Sequence, residues 1–263
     1  MKIPIFQIDA FTSVPFKGNP AAVCLLTEEM SEKWMQKIAL EMNLSETAFL
    51  LKENRGFRLR WFTPIMEVDL CGHATLASAF VLYCKDFVKK KDLIRFTTRS
   101  GELNALINND WITLNFPAFQ EMPFMHIERL EEILKVFPVE IVKSGENVIV
   151  ELKSSKEIRQ LKPDFIQLVK IPIHGLAVTA RSDSPEFDFI SRYFAPWAGI
   201  DEDPVTGSAH ACLGPYWEKR LKKNKMIAYQ ASARGGVVKI EIQGNRVLLS
   251  GQAVMIFEGE LKI

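Results

Sequence analysis

Residues 72–83 read Gly72-His73-Ala74-Thr75-Leu76-Ala77-Ser78-Ala79-Phe80-Val81-Leu82-Tyr83, with small or apolar side chains on every side of a helical wheel. A helix that is apolar all round is buried, whereas a surface helix carries a polar face. The sequence therefore predicts a central helix, Gly72 to Tyr83, that other elements surround. Strand-like patterns flank it and are the candidates for this role, at 57–62, 94–98, 102–107 and 111–115.

The surroundings of this helix recur later in the chain. The first copy reads Arg60-Trp61-Phe62-Thr63-Pro64, Cys71-Gly72-His73-Ala74 and Arg99-Ser100-Gly101. The second reads Arg192-Tyr193-Phe194-Ala195-Pro196, Thr206-Gly207-Ser208-Ala209 and Arg234-Gly235-Gly236. The first pair of blocks is offset by 132 residues and the other two pairs by 135, so one three-residue insertion reconciles them. A single long period of this kind indicates two pseudo-equivalent halves and not a solenoid.

We expect these halves to be residues 1–120 and 121–263, with the boundary between Pro117 and Pro123, where the periodicity is lost. Ligand sites favour interfaces between domains, so the expected active site is the cleft between the halves. The second buried helix, Gly207 to Trp217, should kink or end at Gly214-Pro215, because proline lacks a backbone N–H.

Hydrophobic periodicity predicts the remaining elements. Strands are expected at Ile3–Phe11, Ala21–Leu26 and Thr47–Leu51, an amphipathic helix at Ser31–Met42, and surface helices at Leu130–Phe137 and Phe187–Tyr193. Further strands, Val237–Ile242 and Arg246–Ser250, flank Gln243-Gly244-Asn245, and Asn108-Asn109-Asp110 occupies the matching place in the first half. Both tripeptides tolerate positive φ and predict tight hairpin turns.

Composition excludes several classes of function. The 263 residues are 48% hydrophobic and 25% charged, as in an ordinary soluble globular protein. The 33 basic and 32 acidic residues nearly cancel, so the chain has no field to attract nucleic acid or an anionic membrane. The N-terminus lacks signal-peptide features and the apolar stretch Ala74–Cys84 is too short to cross a bilayer, which predicts a cytoplasmic protein. The four cysteines are expected to be free thiols with no metal-type pairing.

The starts of the two buried helices are candidate anion sites. Each begins with a glycine, Gly72 or Gly207, and neither has an acidic residue in its first turn. Unpaired N–H groups and the positive end of the helix dipole attract a carboxylate or phosphate there. These glycines could instead serve only to let the helix pack closely against a strand.

Four polar residues near these helix starts are candidates for acid–base chemistry: Glu46, His73, Asp203 and Ser208. A desolvated carboxylate such as Glu46 can exchange protons near neutral pH. Each also has an ordinary interpretation, because Glu46 could be a surface residue at a strand start and His73 a capping or packing residue. Asp203 precedes Pro204, which is usual turn chemistry.

Four blocks taken together resemble the phenazine-biosynthesis PhzF family. They are Phe16-Lys17-Gly18-Asn19-Pro20-Ala21-Ala22-Val23, Asn43-Leu44-Ser45-Glu46-Thr47-Ala48-Phe49, Leu59-Arg60-Trp61-Phe62-Thr63-Pro64 with Leu70-Cys71-Gly72-His73-Ala74-Thr75, and Glu202-Asp203-Pro204-Val205-Thr206-Gly207-Ser208-Ala209-His210. The resemblance implies an α/β (α+β) chain with the diaminopimelate-epimerase-like fold. In that fold two pseudo-symmetric halves each roll a bent, mainly antiparallel sheet around a central helix.

The resemblance also implies roles for individual residues. Glu46 matches the family's catalytic glutamate, and His73, Asp203 and Ser208 match the residues around the substrate. Pocket-lining positions correspond to Ser45, Gly72 and Gly207. Members use no metal or organic cofactor and are often dimeric, so no cofactor and a possible homodimer are expected. The sequence itself contains no nucleotide-binding glycine motif and no metal-binding motif.

The predicted function is a cofactor-independent isomerase that moves a proton between carbons of a small carboxylate metabolite. The main alternative is a non-catalytic metabolite-binding or protein-interaction module on the same fold. A serine hydrolase using Ser208 is disfavoured, because no strand–turn Gly-x-Ser-x-Gly frames that serine. A two-thiol racemase is also disfavoured, since the repeat partner of Cys71 is Thr206 and Cys212 lies further along the helix.

Overall fold

The computed structural model of the chain describes residues 2–123 and 127–262. They divide into two compact units, the first formed by Met1–Asn115 with Ser250–Ile263 and the second by Phe116–Leu249. No helix within these described stretches has the length and apolarity to span a membrane.

The first part of the chain contains groups of two or three strands separated by helices. In order they are β1 (Lys2–Ala10), β2 (Asn19–Leu26), α1 (Glu32–Met42), β3 (Glu46–Glu53), β4 (Gly56–Phe62), β5 (Glu67–Val68), α2 (Gly72–Cys84), β6 (Leu93–Thr98), β7 (Gly101–Asn108) and β8 (Trp111–Pro117).

The remainder likewise contains strands separated by helices, with additional short helices. In order it contains β9 (Glu121–Pro123), α3 (Leu130–Leu134), β10 (Glu140–Ser144), β11 (Asn147–Glu151), α4 (Ser155–Gln160), α5 (Phe165–Leu168), β12 (Gly175–Arg181), β13 (Phe189–Ala195), a short 3-10 helix (Pro196–Ala198), β14 (Ile200–Asp203), α6 (Gly207–Leu221), β15 (Lys225–Gln230), β16 (Gly236–Gln243), β17 (Arg246–Gly251) and β18 (Ala253–Lys262).

Strand pairing in the first unit is mainly antiparallel. Strand β1 pairs antiparallel with β18 and β2, and β2 runs parallel to β3. Strand β4 is antiparallel to β3 and β5 but parallel to β6, and β6, β7 and β8 continue antiparallel. Helix α2 contacts β1, β2, β3, β7 and β18 and is buried over most of its length. The prediction of a central helix surrounded by strands is confirmed for this unit.

The second unit repeats this pairing order. Strand β10 pairs antiparallel with β9 and β11, and β11 runs parallel to β12. Strand β13 is antiparallel to β12 and β14 but parallel to β15, which continues antiparallel into β16. Helix α6 contacts β9, β11, β12 and β16. The internal repeat seen in the sequence therefore corresponds to a repeated topology with one buried helix per unit.

The units differ in two places from the predicted halves 1–120 and 121–263. The boundary lies between Asn115 and Phe116, a few residues earlier than expected. The last segment belongs to the first unit, because β18 pairs with β1 along its whole length. The sequence places this strand at the end of the second repeat and carries no signal that it returns to the first.

The predicted surface helix at Phe187–Tyr193 is wrong, because residues 189–193 belong to strand β13 and residues 187 and 188 lie just before it. The strand lies between β12 and β15, and Phe189, Ile190 and Phe194 are fully buried. Its repeat partner is β4, so the 132-residue offset indicated a strand here although the local spacing favoured a helix.

Helix α6 does not end at Gly214-Pro215, where the sequence predicted a kink or an end, but continues to Leu221. Pro215 has no N–H to donate to the carbonyl of Ala211, four residues earlier. That carbonyl instead accepts a hydrogen bond from the backbone N–H of Phe119 at 3.2 Å. Helix α6 can continue past Pro215 because the N–H of Phe119, which lies outside the helix, takes the place of the missing backbone donor.

Candidate functional site

Glu46 is the first residue of β3, just beyond the end of α1. Helix α1 ends at Asn43, whose left-handed conformation turns the chain and whose N–H bonds the carbonyl of Ala39. Strand β3 then enters between β2 and β4, with Glu46 opposite Ala21. Glu46 is therefore held at the end of a central strand, and its side chain retains 15% of its surface exposed.

Cys71 and His73 lie at the start of α2. Cys71 is the N-cap residue, and its side chain makes no capping hydrogen bond to the helix. No acidic residue occupies the first turn, so this helix start keeps its positive character. His73 is buried, and burial lowers the pKa of its ring to about 3. The imidazole is therefore neutral at physiological pH.

Glu46, His73 and Cys71 form a contiguous polar cluster within the first unit. His73 Nε2 lies 3.2 Å from Oε2 of Glu46, and His73 Nδ1 lies 3.5 Å from Sγ of Cys71. Two of the four candidate acid–base residues, Glu46 and His73, therefore lie in contact. The thiol contact is a finding that sequence spacing did not reveal, because it depends on the rotamers of both side chains.

These three side chains also offer nitrogen, sulfur and oxygen ligand atoms within 4.8 Å of one another. One metal ion, however, binds one nitrogen of an imidazole. The two ring nitrogens of His73 face different partners, the thiol on one side and the carboxylate on the other. The arrangement therefore fits a chain of polar contacts through the imidazole ring better than a metal centre.

Asp203 lies in the second unit, at the end of β14 and shortly before α6. It is buried, and its Oδ2 accepts a hydrogen bond from the hydroxyl of Thr206, the N-cap residue of α6. Ser208 follows as the second residue of the helix and is partly exposed. Gly207 at the helix start is buried, and Ser45 in the first unit is partly buried immediately before β3.

Gln230 is a further residue of this second group, which the sequence did not indicate. Its fully buried amide accepts from the N–H of Thr206 at 2.8 Å and donates to the carbonyl of Asp203 at 2.7 Å. It also lies 3.2 Å from the Thr206 hydroxyl. Gln230 thus fixes the short loop that presents the Asp203 carboxylate. It comes from the end of β15, far along the chain from the motif.

An arginine–glutamate ion pair, present in both units, links the two strands that precede each buried helix. Arg60 on β4 makes two 2.6 Å hydrogen bonds to Glu67 on β5. Arg192 on β13 makes two 2.7 Å hydrogen bonds to Glu202 on β14. Glu67 and Glu202 are separated by the same 135 residues as the helix-start motifs, so the repeat could have identified both pairs.

Comparisons with known proteins agree with this architecture over nearly the whole chain. A family model described as phenazine biosynthesis-like protein matches residues 8–259. An uncharacterized isomerase of Halalkalibacterium halodurans is 49% identical over 262 residues, covering 99% of each chain. The crystal structure of a PhzF-family phenazine biosynthesis protein from Enterococcus faecalis has a TM-score of 0.95 and 42% identity, covering all of both chains.

A more distant likeness concerns the fold alone. A hydroxyproline epimerase from Agrobacterium vitis has a TM-score of 0.66 at 9% identity, covering 99% of this chain and 92% of that one. The epimerase-like fold implied by the sequence motifs is therefore confirmed. From the family match and the full-length relatives it follows that the chain belongs to the phenazine biosynthesis-like protein family.

Proposed function

We propose that the protein is a cofactor-independent isomerase that moves a proton between two carbons of a small carboxylate metabolite. The observation that carries this proposal is the contact between the Glu46 carboxylate and the buried, neutral His73 ring at 3.2 Å. A carboxylate positioned in this way can take a proton from carbon and return it. The Halalkalibacterium halodurans relative is named an isomerase, which supports the same reaction class.

The partial exposure of Glu46 suits this role. Its side chain keeps 15% of its surface accessible while His73 keeps only 4%. A substrate can therefore reach the carboxylate, whereas His73 acts from behind it. A neutral imidazole whose Nε2–H faces the Glu46 carboxylate stabilises the ionised form of that carboxylate electrostatically, which is the form that accepts a proton.

We assign anion binding to the backbone N–H groups at the helix starts, Gly72 in the first unit and Gly207 in the second. The first turns of both helices lack acidic residues, and neither N-cap side chain bonds to its helix. Such helix starts attract anions. Ser45 and Ser208 would add hydrogen bonds to the substrate, and Asp203 would hold or relay the partner proton.

The environment of Cys212 supports a carboxylate mechanism over a two-thiol mechanism. Cys212 is buried within α6, and its Sγ lies 3.3 Å from the carbonyl of Ser144 and 3.5 Å from the amide of Asn147. Burial raises the pKa of this thiol above its usual value. A thiol in this state is a poor base. Thr206, the repeat partner of Cys71, has no thiol at all.

A ligand is first identified by screening a panel of small carboxylates for compounds that raise the thermal midpoint of the protein. The variant Glu46→Gln then tests the proposal with that ligand. We expect turnover of that ligand to fall at least about a hundredfold while binding is retained, because the variant loses the acid–base group and keeps a similar shape. Glu53→Gln is the matched control, since Glu53 lies at the other end of β3. If the wild type binds the ligand without converting it, the protein is a binding module and the proposal fails.

A further inference from the structure

The thiol of Cys71 has no role in the proton transfer proposed above, yet it lies against the residue that supports Glu46. Cys71 is buried at 5% exposure, and its Sγ is 3.5 Å from Nδ1 of His73. This separation is in the range of a hydrogen bond that involves sulfur. The remaining question is which of the two atoms carries the proton.

The surroundings of the other ring nitrogen, Nε2, decide whether Sγ of Cys71 or Nδ1 of His73 carries the proton. Burial keeps His73 neutral, so the ring carries one proton that can reside on either nitrogen. An ionised carboxylate only accepts hydrogen bonds. With Oε2 of Glu46 only 3.2 Å from Nε2, the proton belongs on Nε2. Nδ1 is then an acceptor, and the group that faces it must be a donor.

The reverse arrangement is unfavourable. If Nδ1 carried the proton and donated it to sulfur, the lone pair of Nε2 would face the negative oxygen of Glu46. That contact would become favourable only after Glu46 had taken up a proton. A buried acceptor without a donor also destabilises the site. Only with the thiol as donor does Nδ1 have a hydrogen-bond donor while Nε2 presents its N–H, and not a lone pair, to the ionised Glu46.

We propose that Cys71 is a positioning residue whose S–H donates to His73 Nδ1 and holds the tautomer in which Nε2–H faces Oε2 of Glu46. The chain of contacts then runs from the Cys71 thiol through the ring to the carboxylate. This inference rests on the proposed function only for the role of Glu46. Cys71 itself neither touches the substrate nor accepts its proton.

His210 provides an internal reference of the opposite tautomer. Its Nδ1 lies 2.8 Å from the backbone carbonyl of Thr206, which can only accept. Burial lowers the pKa of this ring to about 4, so His210 is also neutral at physiological pH. His210 must therefore carry its proton on Nδ1, whereas His73 is expected to carry it on Nε2.

The test is ¹⁵N NMR of the full-length protein labelled at histidine, near pH 7 and without substrate. The two ring nitrogens are distinguished by whether they are protonated, and His73 and His210 are assigned by their loss in His73→Asn and His210→Gln. We expect opposite tautomers for the two residues in the wild type. In Cys71→Ala the unprotonated Nδ1 signal of His73 should move towards the position of an acceptor without a donor.

Cys71→Ser keeps a donor and should restore the wild-type signal, which a purely packing role would not do. Turnover in Cys71→Ala should stay within about tenfold of wild type, because one neutral hydrogen bond is lost, and Cys71→Ser should recover it. An Nδ1–H tautomer in the wild type, or an unchanged Nδ1 signal in Cys71→Ala, would overturn the inference. If Cys71→Ala does not fold, the tautomer of His73 in the wild type and in Cys71→Ser decides whether the inference holds. The spectra need no substrate, so their outcome is independent of whether Glu46→Gln loses turnover.

Discussion

Burial keeps His73 uncharged across the physiological pH range, since it lowers the pKa of the ring from 6.5 to about 3. The ring therefore faces Glu46 as a neutral group and not as a cation. His210, in the second unit, is also kept neutral, because burial outweighs its hydrogen bond to Thr206. Because each of these buried rings has a lower pKa in the folded than in the unfolded protein, the free energy of unfolding depends on pH.

The pH dependence follows from these two histidines. Between about pH 6.5 and pH 4 the unfolded chain binds protons that the folded rings do not, so stability must fall as the pH is lowered. Each ring should contribute about 1 kcal/mol per pH unit over this window. The measurement is the thermal midpoint from pH 7 to pH 4. His210→Gln should flatten the profile, and the exposed His174→Gln should not. Equal slopes in all three proteins would contradict the neutral, buried state.

At the scale of single residues, the sequence selected Glu46 and His73 as candidates but did not predict how their side chains are arranged. The structure shows these two side chains in contact. The tautomer of His73 and the donor role of Cys71 depend on side-chain rotamers, which sequence spacing does not determine. Gln230 was missed for a different reason, since it approaches its loop from a strand that follows α6.

At the scale of secondary structure, the repeated arginine–glutamate pairs hold the segments that lead into the buried helices. Arg192 is the more enclosed example, with 13% of its side chain exposed. Besides Glu202 it donates to the backbone carbonyls of Ile158 and Leu161 at 3.2 Å and 2.6 Å. It therefore ties β13, β14 and the end of α4 together.

Removal of this arginine should be costly. Arg192→Ala leaves the partly buried Glu202 carboxylate and the Leu161 carbonyl without their arginine donor, and we expect a loss of about 3 kcal/mol in the free energy of unfolding. Arg159→Ala is the matched control, because the pair between Arg159 and Asp183 is exposed, screened by solvent and expected to contribute far less. Urea denaturation of the two variants provides the comparison. Similar losses in both would show that the buried pair does not brace the fold.

Element prediction succeeded where a local period was strong and failed where tertiary context decided. Both buried helices begin at the predicted glycines, and the hairpin turns contain the expected positive φ values at Asn109 and Gly244. Strand β13 was missed because its apolar residues also fit helical spacing. The repeat supplied the correct answer there, since β13 aligns with β4.

For the whole molecule, the internal repeat was the most informative sequence feature. The order of parallel and antiparallel pairing around β4 is the same as that around β13. The exception is the C-terminal strand β18, which pairs with β1 in the first unit. A register of repeated motifs does not determine which partner a terminal strand joins, so this feature required the structure.

The central claim is that Glu46 transfers a proton to and from substrate carbon. The most direct measurement is deuterium uptake from D2O into small carboxylates of a metabolite extract, followed by mass spectrometry with wild type, Glu46→Gln and Glu53→Gln. We predict a metabolite that gains deuterium with the wild type and Glu53→Gln, at a rate at least about a hundredfold lower with Glu46→Gln. Absence of uptake with the wild type, or equal rates with Glu46→Gln, would contradict the account.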